Sequence, residues 1–324
     1  MAPSARARQV MSAARTEPAA AHRLAVWYRE GEEGLFQSQG LAFRWSLQAA
    51  EGGHVDAQYN TGVYCLTGVG VAVDCEAAAT WFAKAAERGN RSAQYNLGVA
   101  FEQGTGTPQN YKLAAEWYQR AADQGSTEAL VNLGTLYDYG MGVDQDHARA
   151  ITLYRKAIEV DDHSAALFNL GLSYFKGTAV EMSVPMALSF YKRAAALGHA
   201  RAQYRVGRAY MEGDGGYAKD IEHARKYIKA SAAQGDDDAV ALLHGWNACA
   251  HCGTAFAPKV CSGCITTRYC RYCDAKCQLA QWRARRTRIG RTTAEGAEGL
   301  VLPEEPQAVP VGRTDCNTLE AAKL

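Results

Sequence analysis

An all-α fold, a solenoid of paired short helices followed by a small zinc-binding module, is what three features of this sequence predict. A block of residues returns every 36 to 37 positions through most of the chain, within the range of stacked helix-pair repeats. Glycines and N-capping residue types recur in step with that block, marking where each helix would stop and the next would start. Seven of the ten cysteines fall between Cys249 and Cys277, a clustering that favours metal over disulfides.

The block is clearest as Ala57-Gln-Tyr-Asn-Thr-Gly62, and it returns at Ala93–Gly98, Ala129–Gly134, Ala166–Gly171 and Ala202–Gly207. Six residues after each closing glycine stands another, Gly68, Gly104, Gly140, Gly177 and Gly213. There a first helix needs a residue that tolerates positive φ in order to end. The second helix is placed independently by Ser38, Asp74, Asn110, Asp146, Ser183 and Asp220, whose side chains suit the exposed N–H groups of a helix start. Seven residues after each cap comes a large apolar residue: Trp45, Trp81, Trp117, Leu153, Phe190 and Tyr227. Small residues follow at Ala49-Ala50, Ala85-Ala86, Ala121-Ala122, Ala157, Ala194-Ala195 and Ser231-Ala232, which lets helix backbones approach closely. A sixth unit, with a degenerate first helix, begins near Ala21. Asp236 to Leu243 reads as one more first helix that closes the stack.

These columns resemble the Sel-like repeat (SLR) family, relatives of the tetratricopeptide repeats. Its units read A-x-x-N-L-G-x-x-Y-x-x-G-x-G-V-x-x-D and then A-x-x-W-x-x-K-A-A-x-x-G. The copy from Ala57 to Ser92 matches nearly throughout, and the resemblance covers about residues 21–240. Three departures predict looser turns: Thr178 in the glycine-rich turn, Asp161 in place of the terminal glycine, and an extra residue after Gly213. The resemblance implies a superhelix whose concave side holds other proteins. Because one helix pair cannot bury both its apolar faces, each unit must lean on the next. The recurring tryptophans, tyrosines and glycines read as packing and turn residues, and none is assigned to a ligand.

Beyond the repeats the chain reads Cys249-x2-Cys252, Cys261-x2-Cys264 and Cys270-x2-Cys273-x3-Cys277. Paired thiolates at this separation grip a tetrahedral Zn²⁺ from a tight turn, and two such pairs complete a site. Arg271-Tyr272-Cys273-x3-Cys277-Gln278-x3-Trp282 resembles the third element of a MYND-type zinc finger. That resemblance implies one site of Cys249, Cys252, Cys273 and Cys277, and a second site beginning with Cys261 and Cys264. Arg268-Tyr269-Cys270 immediately precedes Arg271-Tyr272-Cys273, so Cys270 and Cys273 compete for the first site. Arg285 and Ile289 stand where the family has its closing His and Cys. The second site is therefore either completed by Cys270 with His251 or a water, or left empty. A reading frame that departs from the natural one after Trp282 would look the same. The expected cofactor is one structural Zn²⁺, with the second left open, and the implied partner is a short, often proline-containing peptide.

The expected plan is a disordered leader over 1–20, about six repeats over 21–243, the zinc module over 249–290 and a flexible tail over 291–324 carrying the free thiol Cys316. The leader carries Arg6, Arg8 and Arg15 with no acid before Glu17 and no apolar run. It is not a secretory signal, and a transit peptide is its alternative reading. A reducing compartment, cytoplasmic or nuclear, follows from the clustered cysteines. No stretch reaches the roughly 18 apolar residues of a membrane span, and a net charge of +1 gives no global pull toward nucleic acid. Residues 245–291 do hold nine Lys/Arg against Asp274 alone, so a nucleic-acid-associated or transcriptional cofactor is the second functional reading. No aromatic stacking set accompanies that charge, and a solvated basic helix end is the plainer account. The eight histidines are scattered, no phosphate loop follows a strand, and no nucleophile sits in a recognisable elbow. Cys65 and Cys75 read as buried or half-buried thiols and not as a redox pair. A non-enzymatic scaffold for protein–protein interaction, with zinc bound at the C-terminal module, is the function expected.

Overall fold

The computed structural model describes residues 3–247, 259–260 and 271–272. Over these residues the predicted all-α repeat fold is what the chain forms. Helix α1 (Ala5–Ala13) precedes six helix pairs in chain order: α2 (Pro18–Glu30) and α3 (Gln39–Glu51), α4 (Val55–Thr67) and α5 (Cys75–Glu87), α6 (Arg91–Gln103) and α7 (Tyr111–Asp123), α8 (Thr127–Tyr139) and α9 (His147–Val160), α10 (Ser164–Lys176) and α11 (Val184–Ala196), α12 (Ala200–Glu212) and α13 (Ile221–Ala232). Helix α14 (Asp237–Asn247) follows. Two short strands, β1 (Lys259–Val260) and β2 (Arg271–Tyr272), pair antiparallel with Lys259 opposite Tyr272. The chain divides into two compact units, one through Ala166 and one from Leu167, so the division falls within α10. In the first unit each helix from α1 to α9 packs on its chain neighbours; in the second, α11 packs on α12, α12 on α13 and α13 on α14.

The predicted caps start the second helices. Ser38, Asp74, Asn110, Asp146 and Ser183 each accept the backbone N–H three residues on, at 2.9–3.4 Å. Asp220 accepts two, from Glu222 and His223, both at 3.0 Å. First helices stop at glycines in the left-handed region, including Gly68, Gly104, Gly140 and Gly213. A second cap column escaped the sequence reading: His54, Asn90, Ser126 and His199 cap α4, α6, α8 and α12. Histidine is an uncommon cap, which hid the column.

Mid-helix glycine costs about 1 kcal/mol relative to alanine, so the glycine that recurs inside each first helix needs a reason. A Cβ on Gly62, Gly98 or Gly134 would lie 2.6 Å from the ring of Phe82, Tyr118 or Tyr154. On Gly171 it would lie 2.8 Å from Tyr191, and on Gly207 2.6 Å from Ile228. The glycine is the seat for a side chain of the partner helix. Those five side chains are almost wholly buried, and they stand one position beyond the column that cap spacing selected. Trp45, Trp81, Trp117, Leu153, Phe190 and Tyr227 are only half-buried. Both columns are apolar, and spacing alone does not say which one turns inward.

In the first pair both members of this contact change together. Ser46 stands where the others have a ring or Ile228, and Ala25 where they have the glycine. The Ser46 hydroxyl lies 3.1 Å from that of Thr61. That paired change is why the first helix reads as degenerate, although α2 is a full 13 residues.

Residues 5–13, expected to be part of a disordered leader, form α1. Ser4 caps it, accepting the Ala7 N–H at 2.9 Å, and Ala7, Val10 and Ala14 are buried. The Gln48 amide donates to the carbonyls of Ala14 and Arg15 at 2.9 and 3.2 Å, and the Arg6 guanidinium lies 5.5 Å over the Trp27 ring. A short helix with a weak apolar pattern is held by tertiary contacts that local sequence does not announce.

The glycine-rich turn departs one residue later than expected, at Ala179 and not Thr178. Ala179 (φ 53°) and Glu33 (φ 55°) are the non-glycine residues with positive φ among those described, and both stand in the column of Gly70, Gly106 and Gly142. Where Asp161 replaces the terminal glycine, the residue is extended (φ −156°) and α9 runs to 14 residues. Cys65 is a buried free thiol, as expected. Cys75 is half-buried but disulfide-bonded, which corrects its reading as a thiol. Its partner is not Cys65.

Two stability measurements follow. Gly98→Ala forces a methyl into the Tyr118 ring and should destabilise the chain by about 1–3 kcal/mol in denaturant unfolding. Ala179→Gly relieves a left-handed alanine, which costs about 1–2 kcal/mol. After the extra freedom given to the unfolded chain, a gain of about 1 kcal/mol remains.

Candidate functional site

With the rings turned inward, the first helices α4, α6 and α8 carry a second stripe that packing consumes only in part: Val63, Asn96 and Val99 in it are buried, and Asp56, Thr67, Gln103, Glu128 and Tyr139 at its ends are exposed. On α8 it runs Glu128, Asn132, Thr135 and Tyr139, spaced 4, 3 and 4 residues apart, which holds them on one face. Tyr139 is 58% exposed. The same places on α6 are Ser92, Asn96, Val99 and Gln103, and on α4 Asp56, Asn60, Val63 and Thr67. Polar, small and aromatic residues share this stripe, a mixture able to adapt hydrogen bonds to a protein surface. Tyr59 and Tyr95 border it, their rings tilted over Phe82 and Tyr118 at centroid distances of 6.0 and 5.9 Å. Burial pushes the Tyr59 phenol up, while the side chains of Asn96 and Ser92 on α6 oppose that shift by hydrogen bonding.

On the second helices the half-buried tryptophans carry cations one turn on. Lys84 Nζ lies 3.9 Å from the Trp81 ring centroid, and the Arg120 guanidinium 4.3 Å from that of Trp117. Pairs of this kind shield the exposed ring face.

The repeat boundaries seen in the helices coincide with a known family. The Sel1 repeat family model matches residues 18–54, 55–90, 91–126, 127–162, 164–199 and 200–236. The chain belongs to the Sel1 repeat family. The crystal structure of a Sel1 repeat protein from Oxalobacter formigenes is similar at 32% identity, covering 67% of this chain and 86% of that one, with a TM-score of 0.62. A protective antigen of uropathogenic Escherichia coli strains, with an SLR fold, is 31% identical over 70% of this chain and 56% of that one, with a TM-score of 0.42. An immunity protein from Pseudomonas aeruginosa is 22% identical over 67% of this chain and 81% of its own, also with a TM-score of 0.42. No curated protein matches the chain.

Among the described residues of the Sel1 array, a polar chain runs from α6 and α7 to Asn132 of the stripe. Tyr118 donates to Glu102 Oε2, and Asn132 Nδ2 donates to the Tyr118 hydroxyl at 3.2 Å. Burial pushes the Glu102 carboxyl above its ordinary 4.5, and the Tyr118 hydrogen bond opposes that shift. Burial also holds the Tyr118 phenol well above its usual range. A carboxyl raised in the fold binds its proton more tightly than the unfolded chain does. Its contribution to stability is therefore fully present below about pH 4.5 and is lost as pH rises through the folded value.

The recurring block contains one position of this stripe, the asparagine of Asn60, Asn96 and Asn132; the other positions vary from repeat to repeat and carry no recurring signal. The cysteines expected to bind zinc, Cys249, Cys252, Cys261, Cys264, Cys270, Cys273 and Cys277, lie outside the described residues, as do the tail and Cys316.

Glu102→Gln keeps an acceptor for Tyr118 and removes the charge. Urea unfolding at pH 4.5 and pH 7.5 should show the parent losing more stability over that rise than the variant does; equal losses would contradict the assignment.

Proposed function

We propose that this Sel1 array is a non-enzymatic scaffold that holds another protein along the stripe of its first helices. The C-terminal cysteine module binds zinc and captures or presents a second, peptide-like partner. The observation that carries this reading is a division of labour within the repeats: the large side chains that sit on glycine lie inside the pair, while the ends of the stripe, Asp56 and Thr67 on α4, Gln103 on α6, and Glu128 and Tyr139 on α8, are exposed and differ in type. Sel1 repeats generally mediate protein–protein interaction. Among the described residues no helix is long and apolar enough to cross a membrane.

For the module, support comes from the three paired thiolate motifs and from β1 and β2. Their antiparallel return is the kind of turn that draws separated cysteine pairs toward one ion.

Affinity capture with the full chain, followed by titration of the purified partner, tests the stripe. Thr135→Arg with Tyr139→Glu, one turn apart on α8, should weaken that partner about tenfold or more while leaving the helical signal and melting temperature intact. Undiminished affinity would place the interface elsewhere. Metal analysis of the full chain tests the module: at least one tightly held zinc per chain is expected, and a chain purified without zinc that takes up none contradicts it.

A further inference from the structure

We propose that His22, His54 and Asp56 form a site for a borderline divalent cation, zinc being the natural probe, where α4 begins beside α2. One donor atom from each of the three lies within 4.8 Å of the others. His22 is the fifth residue of α2, His54 caps α4, and Asp56 is the second residue of α4.

A comparison within the chain separates what the fold requires from what this site adds. His199 caps α12 as His54 caps α4. Its ring stacks on Phe168 with centroids 4.6 Å apart and planes 18° apart, and His54 stacks on His22 at 4.3 Å and 19°. The stacked capping histidine is thus ordinary repeat architecture, and an apolar ring suffices beneath it. At α4 two further residues differ. His22 replaces the apolar ring with one that carries nitrogen donors, and Asp56 stands where α12 has Arg201. Both changes add a ligand type that packing does not need.

The His22 ring also carries an unsettled polar atom. Its Nδ1 is buried and has no hydrogen-bond partner, a costly state for a group that would otherwise bind water. Asp56 is exposed, and its Oδ1 accepts from Asn90 Nδ2 at 3.2 Å, an outer contact that orients the carboxylate and leaves Oδ2 for an ion.

Two imidazoles and one carboxylate, with room for water on the exposed side, make a ligand set suited to zinc and its neighbours. Tetrahedral ligands at 2.0–2.2 Å from the ion stand about 3.4 Å apart, and imidazole lone pairs lie in the ring planes, so at least one ring must tilt out of the near-parallel stack for both to meet one ion. His54 then exchanges its 3.3 Å contact with the Ala57 N–H for the metal, because an imidazole bound through Nε2 carries its proton on Nδ1. Arg29 is the cation facing this pair, and Glu30 engages it at 2.8 Å. Asp56 supplies the charge that offsets the ion beside the α4 N-terminus.

Zinc titration of the full chain by calorimetry, beside His22→Phe and Asp56→Asn, tests the site. The cysteine module is common to all three proteins and cancels in the comparison. Phenylalanine is what the α10 helix already carries in this place, and Asp56 is exposed, so both variants should keep the parent's melting temperature without metal. The parent should bind one more equivalent than His22→Phe, and Asp56→Asn should bind that equivalent about tenfold or more weakly. Zinc should also move the ring signals of His22 and His54 in nuclear magnetic resonance spectra. Equal uptake by all three chains, or uptake that leaves those two rings unmoved, overturns the proposal. Acid-sensitive unfolding without zinc uptake overturns it too, because the pair is then a proton-sensitive stack only.

Discussion

The contact on which the array depends is the approach of a helix backbone to a ring. A glycine in the first helix leaves a bare patch, a Phe or Tyr of the second helix, or Ile228 in the last pair, lies on it, and the two backbones close to a distance that any Cβ would prevent. Burying such a ring is worth more than the propensity lost by placing glycine in a helix. Each repeat thereby gains a fixed internal geometry, and its neighbours stack on surfaces of predictable shape. The first pair shows the rule by its exception. With Ser46 in place of the ring, Ala25 takes the glycine position, and the Ser46 hydroxyl meets Thr61 on α4 of the next pair instead.

Function follows from what this contact leaves over. Once the rings are committed to the interior, the exposed ends of the stripe on α4, α6 and α8, Thr67, Gln103 and Tyr139 among them, can vary without disturbing the stack. A surface that varies on a frame that does not is the physical basis for holding a protein partner, and it needs no reacting group. The cation-covered tryptophans of α5 and α7 belong to the frame: half their area is packed and the remainder is shielded by Lys84 and Arg120.

How far the sequence disclosed this depended on whether a feature was local. Capping residues and left-handed glycines act within four or five residues, and Ser38, Asp74, Asn110, Gly68 and Gly104 stand where the spacing put them. The column that turns inward stands one position beyond the one that cap spacing marks, because Trp81 and Phe82 are both apolar and only the position of Gly62 on the facing helix tells them apart. Helix α1 was invisible because Gln48 and Trp27, which hold it, lie elsewhere in the chain. Ala179 was missed for its neighbour because a non-glycine residue in the left-handed region breaks the very rule that finds such turns. The stripe recurs only at its asparagine, and its exposed positions differ from repeat to repeat, so periodicity did not mark them. The zinc-binding cysteines were legible as spacing and rest on that spacing.

The central claim is that the stripe of the first helices is the surface that meets a partner. Amide hydrogen exchange of the full chain, alone and with its captured partner bound, tests it most directly. The account predicts new protection at the exposed ends of α4, α6 and α8, around Thr67, Gln103 and Tyr139, with little change at Thr80 on α5 or Glu116 on α7. Protection confined to the second helices, with the first helices unaltered, would contradict it.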